Sequence, residues 1–286
     1  MAFDVNIVHT GSKGNCVIID KKIMIDVGRS YRELEPLLSD MEVIFVTHRH
    51  GDHLNPAVIN QMTKKMPWKV NGNLYMNKDV LEKVKSHKNL TNLIFPSDHI
   101  IDSNTTLNLV IDNKKYSFCT FNLYHDVPNQ GFVITNELGE KLIYATDTSS
   151  LQDAPNEKYD YILIEGNYDE DKLADDMDID VNLLRLIRDE IINDNLPSLS
   201  NVELSIDLID DLYEDNIEIT DEEIELIDKL MKKAASLVDR AERNTRHLSV
   251  QQFENFVLKH MNPNATIYQL HESEGFGLRS DLGSEF

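Results

Sequence analysis

Residues 43–53 read Val43-Ile44-Phe45-Val46-Thr47-His48-Arg49-His50-Gly51-Asp52-His53, and this stretch decides how the rest of the chain is read. Val43 to Val46 is a short, wholly apolar run of β-favouring residues, which predicts a buried strand. Immediately after it, three imidazoles and one carboxylate fall within six positions, on a loop whose Gly51 permits a tight turn. Zinc and similar cations take neutral imidazoles and carboxylates that converge from several directions. A loop at a strand's end can present them in that way.

Outward from this loop, residues 1–168 alternate short strands with amphipathic helices, the pattern of a layered α/β domain. Strands are predicted over 4–9, 15–20, 22–26, 42–47, 106–111, 115–122, 131–135, 141–146 and 160–165. Helices are predicted to start at Ser30, at Asn55 followed by Pro56, and at Asn77. Beyond residue 170 the period changes: Met177, Val181, Leu184, Ile187 and Ile191 recur at helical spacing and predict one helix. Ser200-Asn201-Val202-Glu203 and Thr220-Asp221-Glu222-Glu223 match capping boxes and predict two more. A helix capped by Ser249 and a last strand, Thr266 to Leu270, lead to His271. The expected division is a core domain of residues 1–170 and 241–286, interrupted by a three-helix insertion of residues 171–240.

The formal charge of −22 over 286 residues is not spread evenly. Asp169 to Asp228 holds 22 acidic against 3 basic residues, which leaves about −3 for the remainder. The acidity therefore belongs to the insertion, and a charge run of this kind reads first as a solvated face. The chain offers no basic excess of the sort that grips a long polyanion, which favours action on an end or on a small nucleotide over a grip on many phosphates. Cys16 and Cys119, far apart and each in an apolar stretch, read as reduced core thiols, not a metal or disulfide framework. The alternating N-terminus lacks the basic and apolar regions of a secretory signal, and no apolar run approaches a membrane span, so a cytoplasmic location is expected.

The motif His48, His50, Asp52, His53 resembles the H-x-H-x-D-H motif of the metallo-β-lactamase superfamily. The resemblance continues in order through Ile23-Met24-Ile25-Asp26-Val27-Gly28, His125 in Tyr124-His125-Asp126, Asp147 in Ala145-Thr146-Asp147 and His271 in Leu270-His271-Glu272. It implies an αββα sandwich, into which the acidic helical segment read above would be inserted. It also implies two divalent metal ions, zinc with manganese as the alternative, and a metal-activated hydroxide. One ion would take His48, His50 and His125 and the other Asp52, His53 and His271, with Asp147 bridging and Asp26 structural.

Within the superfamily, Gly11-Ser12-Lys13-Gly14-Asn15-Cys16, Glu165-Gly166-Asn167-Tyr168-Asp169 and Arg246-His247-Leu248-Ser249 resemble the WalJ-type exonuclease branch and its tRNase Z relatives. By that resemblance Glu165 orients His247 as a general acid, with Asp52 the third residue expected at the chemistry. Glu272-Ser273-Glu274 after His271 departs from those relatives, and so does the acidic insertion. His9, His87, His99 and His260 match no motif, although His9 flanks the Gly11–Asn15 turn.

The function expected is a binuclear phosphodiesterase acting on nucleic-acid ends or on linear or cyclic nucleotides. Two other readings stay open at this point. One is an ester, thioester or lactam hydrolase on the same fold. The other is a binding protein whose acidic insertion meets a protein partner or a second copy of the chain.

Overall fold

In a computed structural model, residues 2–192, 232, 236, 241 and 245–270 are described. The chain divides into two compact units, Met1–Tyr168 with His247–Phe286, and Asp169–Arg246. Its membership of the α/β class follows from the first unit, which holds two sheets.

The first sheet orders β1 (Val5–His9), β2 (Cys16–Ile19), β3 (Ile23–Ile25), β4 (Val43–Val46) and β5 (Leu74–Met76) in sequence. The second runs β11 (Met261–Leu270), β10 (Tyr159–Glu165), β9 (Lys141–Ala145), β8 (Asn129–Asn136), β7 (Lys114–Leu123) and β6 (Thr106–Ile111). β4 pairs in parallel with β3 and β5, and all four of its side chains are buried. A parallel strand covered on both faces needs a continuous apolar run, which is why Val43 to Val46 does not alternate.

Its two faces serve different layers. Ile44 and Val46 pack with Leu34, Val58, Met62 and Val80 from helices α1 (Tyr31–Leu38), α2 (Pro56–Lys65) and α4 (Lys78–Ser86). Val43 and Phe45 face the second sheet, where the Phe45 ring lies 4.7 Å from Phe118 and 5.0 Å from Phe132. On the far side of that sheet, Ile143, Ile162 and Ile164 pack with Phe253 and Val257 of α7 (Val250–His260). Helices, sheet, sheet and helix make the four layers of an αββα sandwich.

Several local expectations need correction. Helix α3 (Pro67–Gly72) and β5 carry too few residues to show a period. The single helix expected through Met177 and Ile191 is two: α5 (Glu170–Met177) ends at Asp178 in the left-handed region (φ 56°), and α6 (Val181–Ile192) follows. Within that unit Glu170 is buried and accepts from Arg185 and Arg188, each at 2.6 Å. Ser30 precedes α1, but its hydroxyl donates to Glu33 at 2.6 Å and caps no backbone amide. The last strand starts at Met261, not Thr266. The helices expected from Ser200 and Thr220 lie outside the described residues. Among the described residues no helix is long and apolar enough to cross a membrane.

Candidate metal centre

The candidate residues leave the sandwich at the ends of its central strands. His48 to His53 follow β4, His125 follows β7, Asp147 follows β9 and Glu165 closes β10. His247 precedes α7. It is brought alongside β10 by backbone bonds from Asn167 to Leu248 (2.8 Å) and from Val250 to Tyr168 (2.8 Å).

Among the described residues three groups of donor atoms result, each within 4.8 Å: His48, His50 and His125; His48, His53 and Asp147; and Asp147, Glu165 and His247. In the first, His50 Nδ1 faces His125 Nε2 at 3.1 Å, while His48 Nε2 and His125 Nδ1 are buried with no hydrogen-bond partner among the described residues. A buried imidazole nitrogen without a partner costs free energy unless something fills the position. Burial, followed by the charge of His53, holds His48 well below the usual histidine range. Burial likewise lowers His125. Both are therefore neutral at pH 7, the form in which imidazole binds a cation.

His53 is fully buried and engaged on both ring nitrogens. Nδ1 meets Asp26 Oδ2 at 2.7 Å, and Nε2 meets Asp147 Oδ2 at 2.5 Å and Asn15 Nδ2 at 2.8 Å. Burial would lower its pKa, but Asp147 and Asp26 outweigh that and hold it well above the ordinary value. Asp52 Oδ2 stands 3.7 Å from His53 Nε2 and joins none of the three groups. Asp126, which follows His125, lies 3.2 Å from His125 Nε2 and 3.5 Å from His50 Nε2. His271 lies outside the described residues.

Two site aspartates have left-handed backbone, Asp26 at φ 68° and Asp147 at φ 55°. Aspartate tolerates this region better than most residues, and such positions concentrate where a side chain must be aimed. Asp26 is fully buried and accepts from the Thr47 amide (2.8 Å) and hydroxyl (3.0 Å) while holding His53. A carboxylate behind a histidine fixes its tautomer and ring plane.

Asn15 is the residue whose role the sequence left unread. Its Oδ1 accepts from the Gly11 amide at 2.9 Å, which turns Nδ2 towards His53, and its backbone amide donates to the Asp52 carbonyl at 2.6 Å. A Cβ at Gly28 would overlap that same carbonyl, so the histidine loop closes on the strand before α1 only because residue 28 is glycine. Polar residues after glycines were the available signal. His9 takes no part; its Nε2 lies 3.9 Å from Glu33. His99 and His260 are satisfied core histidines, bonding the Leu74 carbonyl (3.1 Å) and the Glu157 carbonyl (2.9 Å).

Beside these groups, His247 Nδ1 lies 2.8 Å from Glu165 Oε2 and 3.3 Å from Asp147 Oδ1. Glu165 is fully buried, and its other oxygen accepts from the Thr148 amide at 2.5 Å. Burial lowers the His247 pKa, but Glu165, then Asp147 and Asp52, outweigh it and raise the group to about 9.

A family model described as the beta-lactamase superfamily domain matches residues 21–191, more than half of the chain. The chain belongs to that family. Within the beta-lactamase superfamily it is similar to the exodeoxyribonuclease WalJ of Streptococcus pneumoniae serotype 2 (strain D39), 25% identical over 183 residues. The WalJ of strain R6 matches equally. The matched region is 59% of this chain and spans 64% of the length of that relative, just under two thirds. Among solved structures, the short form of human tRNase Z aligns with a TM-score of 0.46 at 19% identity, covering 61% of this chain and 82% of that one. A diphosphatase of the PhnP family aligns at 0.45 and 16% identity, covering 58% and 75%.

Proposed function

We infer that this superfamily member is a metal-dependent phosphodiesterase. The observation that carries the reading is the pair formed by Glu165 and His247 at 2.8 Å, set against Asp147 beside the histidine cluster. Hydrolysis of a phosphodiester expels an alkoxide that must be protonated, and an imidazolium held by a buried carboxylate is built to do this. Lactam hydrolysis has no such demand for a second carboxylate and histidine. The similarity to an exodeoxyribonuclease supports the same choice.

The donor set fits divalent cations, since two buried imidazole nitrogens have no other partner among the described residues. His48, His50 and His125 would hold one ion; His53, Asp52 and His271 would hold a second, with Asp147 between them. Zinc suits this set of nitrogen and oxygen donors. Bound there, the ions would supply Lewis-acid activation of water and neutralise charge on the phosphoryl oxygens.

The chain's own residues do the rest. Asp26 fixes the plane of the His53 ring through Nδ1, which leaves Nε2 as its donor atom. Glu165 receives Nδ1–H of His247 and keeps the ring cationic, so that Nε2 carries the proton delivered to the leaving oxygen. The buried Glu165 is itself aimed by the Thr148 amide. The substrates proposed are nucleic-acid ends and small linear or cyclic nucleotides.

The test is hydrolysis of bis(p-nitrophenyl) phosphate, of oligonucleotides and of a cyclic nucleotide by the metal-loaded protein, beside a thioester and a lactam. Turnover of any phosphodiester is expected. Turnover of the thioester or lactam alone would overturn the reading.

A further inference from the structure

The near-neutral average of the first unit conceals a strongly basic tract. Between Lys64 and Lys88 the chain carries seven lysines and only two acids, Asp79 and Glu82. Asp79 is already taken by Arg49 at 3.2 Å. Two of the lysines are also committed: Lys65 pairs with Glu35 at 2.8 Å, and the buried Lys69 donates to the Met41 carbonyl. The other five, Lys64, Lys78, Lys83, Lys85 and Lys88, make no ion pair among the described residues, and all but the half-buried Lys85 are exposed.

Their arrangement follows two helices that both start at the histidine loop. The cap of α2, Asn55, comes two residues after His53, and the cap of α4, Asn77, donates its side chain to the Thr47 carbonyl at 3.2 Å. With ten and nine residues, each helix runs about 13–15 Å from that loop. Where they end, a cavity of about 400 Å³ opens, lined by Thr63, Val70, Asn71, Lys88, Asn89 and Asn92 among others. Helix α3, which supplies Val70 and Asn71 to that lining, also carries Trp68, a residue 64% exposed.

Helix dipoles alone favour lysines in the last turns of α2 and α4. That accounts for Lys64, Lys65, Lys83 and Lys85. It does not account for Lys78 at the start of α4, for Lys88 beyond its end, or for an indole left in solvent. A row of unpaired cations leading from a phosphodiesterase site to an exposed aromatic and an asparagine-rich groove matches one polymer, single-stranded nucleic acid. Its phosphates pair with lysines, its bases stack on aromatic faces, and base edges take amide hydrogen bonds.

We propose that the Lys78–Lys88 row, with Trp68 and the groove beside it, is a binding track for single-stranded nucleic acid that feeds the histidine loop. This deepens the phosphodiesterase reading and rests on it for the direction of travel. It also revises the expectation, drawn from the average charge, that the chain has no purchase on a polyanion.

Trp68 is the only tryptophan in the chain, so its fluorescence reports on this surface alone. In chelator, at low salt, an oligothymidylate of about twelve residues should quench it saturably. If about three phosphates are held, log affinity should fall with log salt at a slope near −2. K83E/K85E/K88E should weaken binding at least tenfold and flatten that slope. Trp68→Ala, followed by anisotropy of a labelled oligonucleotide, should cost on the order of tenfold. Both variants should hydrolyse bis(p-nitrophenyl) phosphate at the parent rate.

Absence of quenching, or unchanged affinity in both variants, would overturn the proposal. Equal quenching by dextran sulfate, which has no bases, would do so too, as would a blue shift on anionic vesicles without any response to the oligonucleotide. Binding by a protein that hydrolyses no phosphodiester would sink the catalytic reading and leave the track standing. The converse result would remove the track alone.

Discussion

Nδ1 of His247 lies 2.8 Å from Oε2 of Glu165, although 82 positions separate them in the chain. Glu165 is the last residue of β10 and His247 sits just before α7, so the pair exists only because the two segments run side by side. The carboxylate is buried and cannot turn to water; one oxygen holds that imidazole while the other accepts from the Thr148 amide.

This relationship should show in kinetics. His247→Ala should lower kcat for phosphodiesters on the order of 10²- to 10⁴-fold with little change in KM, because a general acid acts only in the transition state. Glu165→Gln removes the charge that raises His247. Deprotonation then comes at lower pH, so the alkaline limb of the rate profile should move to the acid side. A parent-like profile in Glu165→Gln would show that the carboxylate does not govern the proton.

Metal content should separate the candidate ligands. His50→Ala should lose one ion per chain and its turnover while keeping the parent circular dichroism, since the half-exposed His50 supports no strand. Asp147→Asn should be more damaging than any single histidine change, because this carboxylate stands in two of the three donor groups. Two ions per chain in Asp147→Asn, measured by elemental analysis, would remove it from the bridging position.

Asp26 touches no proposed ion, yet it holds both His53 and Thr47 from the core. Asp26→Asn should reduce metal affinity about 10- to 100-fold. It should also destabilise the metal-free protein by about 1–3 kcal/mol, because a buried acceptor is replaced by a group that cannot satisfy every donor facing it. Isothermal titration with zinc and a thermal melt in chelator read the two effects separately. Parent values in both would show the contacts to be incidental.

Cys16 gives a pH test of the core. Burial, helped by the charge of Asp26, raises its thiol to about 12. In the unfolded chain a thiol ionises near 8.5. The folded state thus keeps a proton that the unfolded state gives up. The contribution to stability is complete below the unfolded value and lost as pH rises towards about 12. Denaturant midpoints should therefore fall between about pH 8.5 and 11, and less steeply in Cys16→Ala. Native protein at pH 8 should resist alkylation at Cys16 until denaturant is added, a result readable by mass spectrometry.

Much of this molecule is written locally. The strand Val43 to Val46, the caps Asn55, Asn77 and Ser249, and the clustered His48, His50, Asp52 and His53 each depend on neighbours within a few residues, and such signals survive in a linear reading. Elements of three to six residues, such as β5 and α3, left no period to detect, and the break at Asp178 hid inside an unbroken apolar repeat. The basic row was present in the sequence but was lost in an average taken over the whole chain.

What the sequence by itself determined, then, was the longer strands and capped helices of the sandwich and the residue types gathered at its strand ends. Tertiary structure alone decided how those residues face one another. It put Asp26 and Asn15 on opposite nitrogens of His53, buried the unpartnered nitrogen of His48, and carried Lys78 to Lys88 outward from the same loop that holds the histidines. The physical reason is range: capping and periodicity act over one or two turns of chain, whereas the direction of a side chain in a site is fixed by packing between strands far apart in sequence, and no local pattern encodes that geometry.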